Sequence, residues 1–194
     1  YDIGVRLEGS EMCIRDSTYT ASVSSDAASV TITAAGLQAL TDGSTYTMTA
    51  DVSDAAGNAA TQVTSSSFSV DTTAPSISAI ATSAFSWGAV LNGTEDNSNG
   101  TVTVATSGAE DGQTVTITLN SATYTASVSS DAASVTITAA GLQALSNGST
   151  YTMTADVSDA AGNAATQVTS SSFSVQKTPT RINNKKRSNS STYN

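Results

Sequence analysis

The chain has 194 residues, a net charge of −9, no histidine and a single cysteine. Without histidine the usual general base, the Ser-His-Asp triad and most zinc sites are excluded, and one cysteine builds no disulfide framework. All seven Lys and Arg side chains lie outside residues 17–176, which carry twelve Asp and Glu. That region repels nucleic acid and anionic membranes, and no apolar run is long enough to predict membrane insertion.

Residues 1–16 contain Cys13 and Leu7-Glu-Gly-Ser-Glu-Met-Cys-Ile-Arg-Asp-Ser17, which looks like translated adapter sequence. The expectation is a non-native leader with no part in the fold. Residues 18–70 then recur as residues 123–175 with two differences in 53 positions, Thr41 against Ser146 and Asp42 against Asn147. A 105-residue period is too long for a solenoid unit and suits one independently folding domain. On this register residues 17–70 are the C-terminal half of an incomplete unit and residues 71–175 are a complete one. The half unit should have an inner face with nothing packed on it, and so fold poorly or pair with another chain. Residues 176–194 form an Asn/Ser-rich basic stretch, expected to be a disordered tail and not part of a repeat.

Within the complete unit, apolar residues alternate at Val102 and Val104, at Val115, Ile117 and Leu119, at Val135 and Ile137, at Tyr151, Met153, Ala155 and Val157, and at Phe173 and Val175. Thr and Ser fill most positions between. Period-two alternation places one apolar face on each half-buried strand. With residues 76–81 added, about seven strands fit. Turn signals stand at Asn92-Gly93, Asn99-Gly100, Asp111-Gly112, Asn147-Gly148 and Gly162-Asn163, as an antiparallel sandwich requires. The predicted fold is all-β, an immunoglobulin-like antiparallel β-sandwich in tandem. The stretch Leu142-Gln-Ala-Leu145-Ser-Asn-Gly-Ser-Thr-Tyr151 resembles the corner entering the penultimate strand of such domains, where the tyrosine hydroxyl bonds back to the preceding loop.

Three motifs carry a more specific resemblance: Val70-Asp-Thr-Thr-Ala-Pro75, Ser107-Gly-Ala-Glu-Asp-Gly-Gln-Thr-Val-Thr116 and Asp156-Val-Ser-Asp-Ala-Ala-Gly-Asn163. In this order and spacing they resemble the bacterial Ig-like repeats of large biofilm and adhesion surface proteins. The resemblance covers residues 17–175. It implies a non-enzymatic stalk, outside the cell or on the bacterial surface, whose partners are neighbouring repeats and whose terminal adhesin ligand is borne elsewhere. It also implies Ca2+ at the domain junctions. Calcium takes six to eight oxygens, and the residues able to supply them near the entering linker are Asp71, Glu110, Asp111, Asp159 and Asn163. Asp156 is a weaker candidate, and Asn92, Glu95 and Asp96 lie on a loop nearer the far end. Gln176 stands where the family has Asp. The same acidic residues also suit turn caps.

Adjacent Glu110-Asp111 and Glu95-Asp96 do not predict a catalytic pair, which would face across a cleft. Asn92-Gly-Thr94, Asn99-Gly-Thr101 and Asn147-Gly-Ser149 match a glycosylation sequon and read more simply as turns. The competing functional reading is a carbohydrate-binding or accessory module of a secreted hydrolase. It requires an exposed aromatic strip, for which Phe85 and Trp87 are the unpatterned candidates.

Overall fold

The computed structural model describes residues 2–9 and 17–178. The expectations for Cys13 and for the tail from residue 179 lie outside these. The chain divides into two compact units, Tyr1–Thr73 and Ala74–Asn194.

The first unit contains β1 (Asp2–Gly9), β2 (Thr18–Ser22), α1 (Ala34–Gln38), β3 (Thr45–Val52), β4 (Val63–Thr64) and β5 (Phe68–Ser69). They form one sheet in the order β2-β1-β3-β4, with β5 also on β3. The exclusion of residues 1–16 from the fold is therefore corrected for Asp2–Gly9, which pairs antiparallel with both β2 and β3. The reason is a short alternation, Ile3, Val5 and Leu7, overlooked beside the adapter-like residues that follow. Val5 opposes Tyr19 as Ile117 opposes Tyr124 in the second unit. That register sets Ile3, Val5 and Leu7 at the positions of Val115, Ile117 and Leu119.

The second unit contains β6 (Ser76–Ile77), β7 (Val90–Asn92), β8 (Gly100–Ser107), β9 (Thr114–Leu119), β10 (Ala122–Ser127), β11 (Ala132–Ile137), α2 (Ala139–Gln143), β12 (Thr150–Tyr151), β13 (Thr154–Asp156), β14 (Val168–Thr169) and β15 (Phe173–Gln176). One layer has the order β11-β8-β6; the other is made of β10-β9-β13-β14 and β12-β15-β7. Val102, Val104, Val135 and Ile137 from the first layer pack with Val115, Ile117, Leu119, Ala155, Phe173 and Val175 from the second in one buried cluster. This is the predicted Ig-like β-sandwich.

Three local features depart from the sequence reading. β7 runs parallel to β15, with Val175 opposite Leu91, because the chain leaves β6 on one layer and joins the other through Gly88 at φ +67°. Asn99-Gly100 is not a turn: Gly100 begins β8, and the indole of Trp87 covers its Cα so closely that a Cβ would lie 2.5 Å from Trp87 Cζ3. Two tight turns use Asn120-Ser121 and Ser130-Asp131, all four at positive φ, with no glycine. Asn and Asp tolerate this region; each turn also holds a serine there.

The helix α2 was not foreseen. Thr138 caps it, its side chain accepting from the Gly141 N–H at 3.2 Å, and Leu142 and Leu145, three apart, turn one face into the core. Asn99 supplies a further acceptor, 2.9 Å from the Ala139 N–H. Between β12 and β13 the ladder is maintained by Ser170. Its N–H donates to the Met153 carbonyl at 2.8 Å while its hydroxyl oxygen accepts the Met153 N–H at 2.9 Å. A side-chain oxygen thus replaces the carbonyl lost at an irregularity in the strand. Ser65 does the same for Met48 in the first unit.

Candidate functional site

The tyrosine corner has the expected geometry in both units. The Tyr151 hydroxyl accepts the Ser146 N–H at 2.9 Å, and the Tyr46 hydroxyl accepts that of Thr41 at 2.8 Å. The backbone donation holds both phenols below their ordinary pKa. Because the donor is a main-chain N–H, the change from Thr41 to Ser146 leaves the bond intact.

The five predicted calcium ligands are occupied by their own loops. Asp159 is 3% exposed, and its carboxylate accepts the Asn163 N–H at 2.7 Å and the Asn163 Nδ2–H at 2.9 Å. Burial pushes its pKa up, but the bonds from Asn163, Gly162 and Ala161 outweigh that and hold it below the usual carboxylate range. Glu110 reaches the same loop, accepting the Ala160 N–H at 2.8 Å. This joins the two loops that sequence reasoning placed at one end. Asp111 turns away and accepts the Ser130 N–H at 2.8 Å. Glu110 and Asp111 therefore face different partners and form no catalytic pair. Asp71, in the first unit, accepts the Thr73 N–H at 3.0 Å. Among the described residues no three acidic, His or Cys side chains come together as a metal-holding group, so as they stand these residues do not fit calcium. Asp156 bonds Gln167 at 2.9 and 3.0 Å.

The loop assigned to the far end lies beside the chain leaving the second unit. Asn92 accepts from the N–H groups of Thr94 and Glu95, and Glu95 accepts the Asn92 N–H at 3.0 Å. Asp96 is buried and pairs with Lys177 Nζ at 3.2 Å. The same ammonium donates to the carbonyls of Leu142 and Gln143 at 3.1 and 2.8 Å, satisfying orphan acceptors at the end of α2. Residues 176–178 therefore belong to the folded unit, which corrects the tail boundary. Lys177 is the cation that the repeat sequence itself does not supply.

Sequence reasoning missed a clamp on the departing chain. In the first unit Asp42 accepts the Thr72 N–H and the Thr73 hydroxyl, both at 2.6 Å. The Thr73 and Thr72 bonds lower its pKa. In the second unit Asn147 accepts the Lys177 N–H at 2.7 Å and donates to the Thr178 hydroxyl oxygen at 3.2 Å. Asp and Asn serve equally because a threonine hydroxyl rotates to donate or accept. The signal was present: this is one of the two positions where the repeats differ, and it precedes the glycines Gly43 and Gly148.

The aromatic strip required by the carbohydrate-binding alternative is not exposed. Phe85 is 4% and Trp87 5% accessible. They stack with centroids 5.4 Å apart, and both meet Phe173 edge-on, at 5.7 and 5.4 Å. Their irregular sequence positions reflect a strand that changes layers, not a surface platform.

No protein-family model and no curated protein matches the chain. Among solved structures, one studied for the host cell surface retention of a 1.5-MDa bacterial ice-binding adhesin is 24% identical over 91% of this chain and 53% of its own, with TM-score 0.44. A Ca2+-stabilized adhesin of an Antarctic bacterium that binds ice is 29% identical over 91% of this chain and 40% of its own, with TM-score 0.46. A bacterial immunoglobulin-like domain from the M. primoryensis ice-binding adhesin is 27% identical, matching 53% of this chain and 95% of its own at TM-score 0.37. These neighbours are Ig-like domains of bacterial adhesins. That is the family the three sequence motifs resemble. The chain spans about half or less of the first two.

Proposed function

We propose that the chain is a spacer segment of a bacterial surface or secreted adhesin, a non-enzymatic element whose partners are the repeats on either side. The observation that carries this reading is the clamp repeated at the exit of each unit, where Asp42 and Asn147 bind the chain two residues beyond Val70 and Val175. A linker fixed to the domain it leaves limits the bending of a string of domains. Near-identity of the repeats supports the same reading, since interchangeable units suit a spacer better than a binding tip. The sequence motifs supply the adhesin and cell-surface part.

Calcium at the linker between Val70 and Pro75 belongs to this reading as a stiffener, and charge is what supports it. Residues 17–176 hold twelve carboxylates and no Lys or Arg. Asp71, Glu110, Asp111 and Asp159 would have to exchange their present N–H partners for the ion. Thermal unfolding of the full chain in excess calcium, in chelator and in magnesium tests this. Calcium at about a hundred times its Kd adds roughly 2.7 kcal/mol, a rise on the order of 10 °C, which shrinks in Asp71→Ala and Asp159→Ala. Equal melting in all three conditions removes calcium from the reading, and selective binding on a glycan array removes the spacer.

A further inference from the structure

The first unit repeats the C-terminal half of the second almost residue for residue, yet the two present different surfaces. In the second unit Leu142 is fully buried and its counterpart Leu37 is 50% exposed. Val30, Ile32, Met48, Phe68 and Val70 are only partly buried, whereas Val135, Ile137, Met153, Phe173 and Val175 are closed off. The covering in the second unit comes from residues 74–107. Ile77, Ile80, Phe85, Trp87, Leu91, Val102 and Val104 all enter the core from that segment. It also supplies the ladder partners: β8 pairs antiparallel with β11, and β7 pairs parallel with β15. Residues 27–32, which repeat β11, form no extended strand in the first unit.

We propose that the open face of the first unit is a docking surface for the N-terminal half of another repeat, a polypeptide with the sequence of residues 74–107 supplied by a separate molecule. The chain's own copy of that segment is engaged within the second unit, so the surface has no occupant among the described residues. The register follows from the period. Val102 of the incoming segment lies opposite Val30, its Gly100 opposite Ile32, and its Leu91 runs parallel beside Val70. Trp87 and Phe85 of the segment seat against Phe68. The interaction unites strand addition at a sheet edge with closure of an apolar face, and its specificity comes from side chains that already pack together once in this molecule.

The test is a calorimetric titration of the full chain with a synthetic peptide of residues 74–107, accompanied by hydrogen exchange. Binding of one peptide per chain is expected, with slowed exchange at residues 27–32. Peptic fragments spanning Thr41-Asp42 distinguish these residues from their repeat. A peptide carrying Val102→Asp and Val104→Asp should bind at least about tenfold more weakly, since both side chains lie at the centre of the contact. Phe68→Asp in the chain should weaken the native peptide similarly. The peptide variants keep the test independent of whether Phe68→Asp disturbs the first unit. No heat and no protection at about 100 μM peptide, a Kd weaker than about 5 kcal/mol of binding supports, overturns the proposal. So does binding that survives both the peptide and Phe68→Asp substitutions, or slowed exchange confined to the second unit. A chain dimer whose population the peptide leaves unchanged overturns it as well, by assigning the face to itself.

Discussion

The sequence Ala-Ala-Ser-Val-Thr-Ile occurs twice, at residues 27–32 and 132–137. In the second unit it is β11, hydrogen-bonded along its length to β8, with Val135 and Ile137 fully buried. In the first unit, where β8 has no counterpart, the same six residues form no more than an isolated bridge at Ala27. Their alternation and β-branching are identical, so local preference is held constant. A strand is a paired object, and what differs is the partner. The helix that follows behaves differently: α1 and α2 form in both units with the same threonine cap, because their hydrogen bonds are internal to the segment. Only the burial of the leucine changes.

Phe173→Ala against Phe68→Ala puts the sharpest strain on this comparison. Phe173 fills the centre of the sandwich against Phe85 and Trp87, so its truncation should cost the second unit about 3–5 kcal/mol. Phe68 has only the Tyr46 ring nearby and a half-open side, so its loss should cost about 1 kcal/mol or less. Denaturant unfolding of each variant checks both, and equal costs would break the comparison. Backbone exchange gives the second measure. Amides of residues 132–137 should exchange roughly a thousandfold more slowly than those of residues 27–32, since the former open only with the whole domain.

A smaller effect concerns the corner. Tyr151→Phe removes the acceptor of the Ser146 N–H and should lower the melting temperature of the second unit by a few degrees, with a smaller change for Tyr46→Phe, where less of the unit depends on the corner. The smallest is a pH effect. Asp159 has its folded pKa depressed, so its contribution is present above about pH 4, the unfolded value, and is lost as pH falls through the lower folded value. Asp54 makes the same bonds to Asn58 at 2.8 Å from an exposed position. Acid unfolding should therefore lose steepness in Asp159→Asn more than in Asp54→Asn.

Much of the candidate site was legible in outline. Loop order placed Glu110 beside the loop of residues 159–163, and a bond to Ala160 joins them. The direction of each carboxylate was not legible, because adjacent residues such as Glu110 and Asp111 turn to different loops and only the folded backbone decides which N–H is near. The clamp at Asp42 and Asn147 was hidden for a related reason. An Asn-Gly pair announces a turn, while the chain it holds lies thirty residues further on.

By itself, the sequence determined the all-β class, the period, the tyrosine corner and the alternating faces, since each depends on spacing or on neighbours a few residues away. Only the tertiary structure decided that Asp2–Gly9 is a strand, that Phe85 and Trp87 are core, that β7 runs parallel to β15, and that one copy of residues 27–32 pairs while the other does not. Each of those outcomes depends on which distant segment is present to accept a hydrogen bond or cover an apolar face, and no local pattern encodes the presence of a partner.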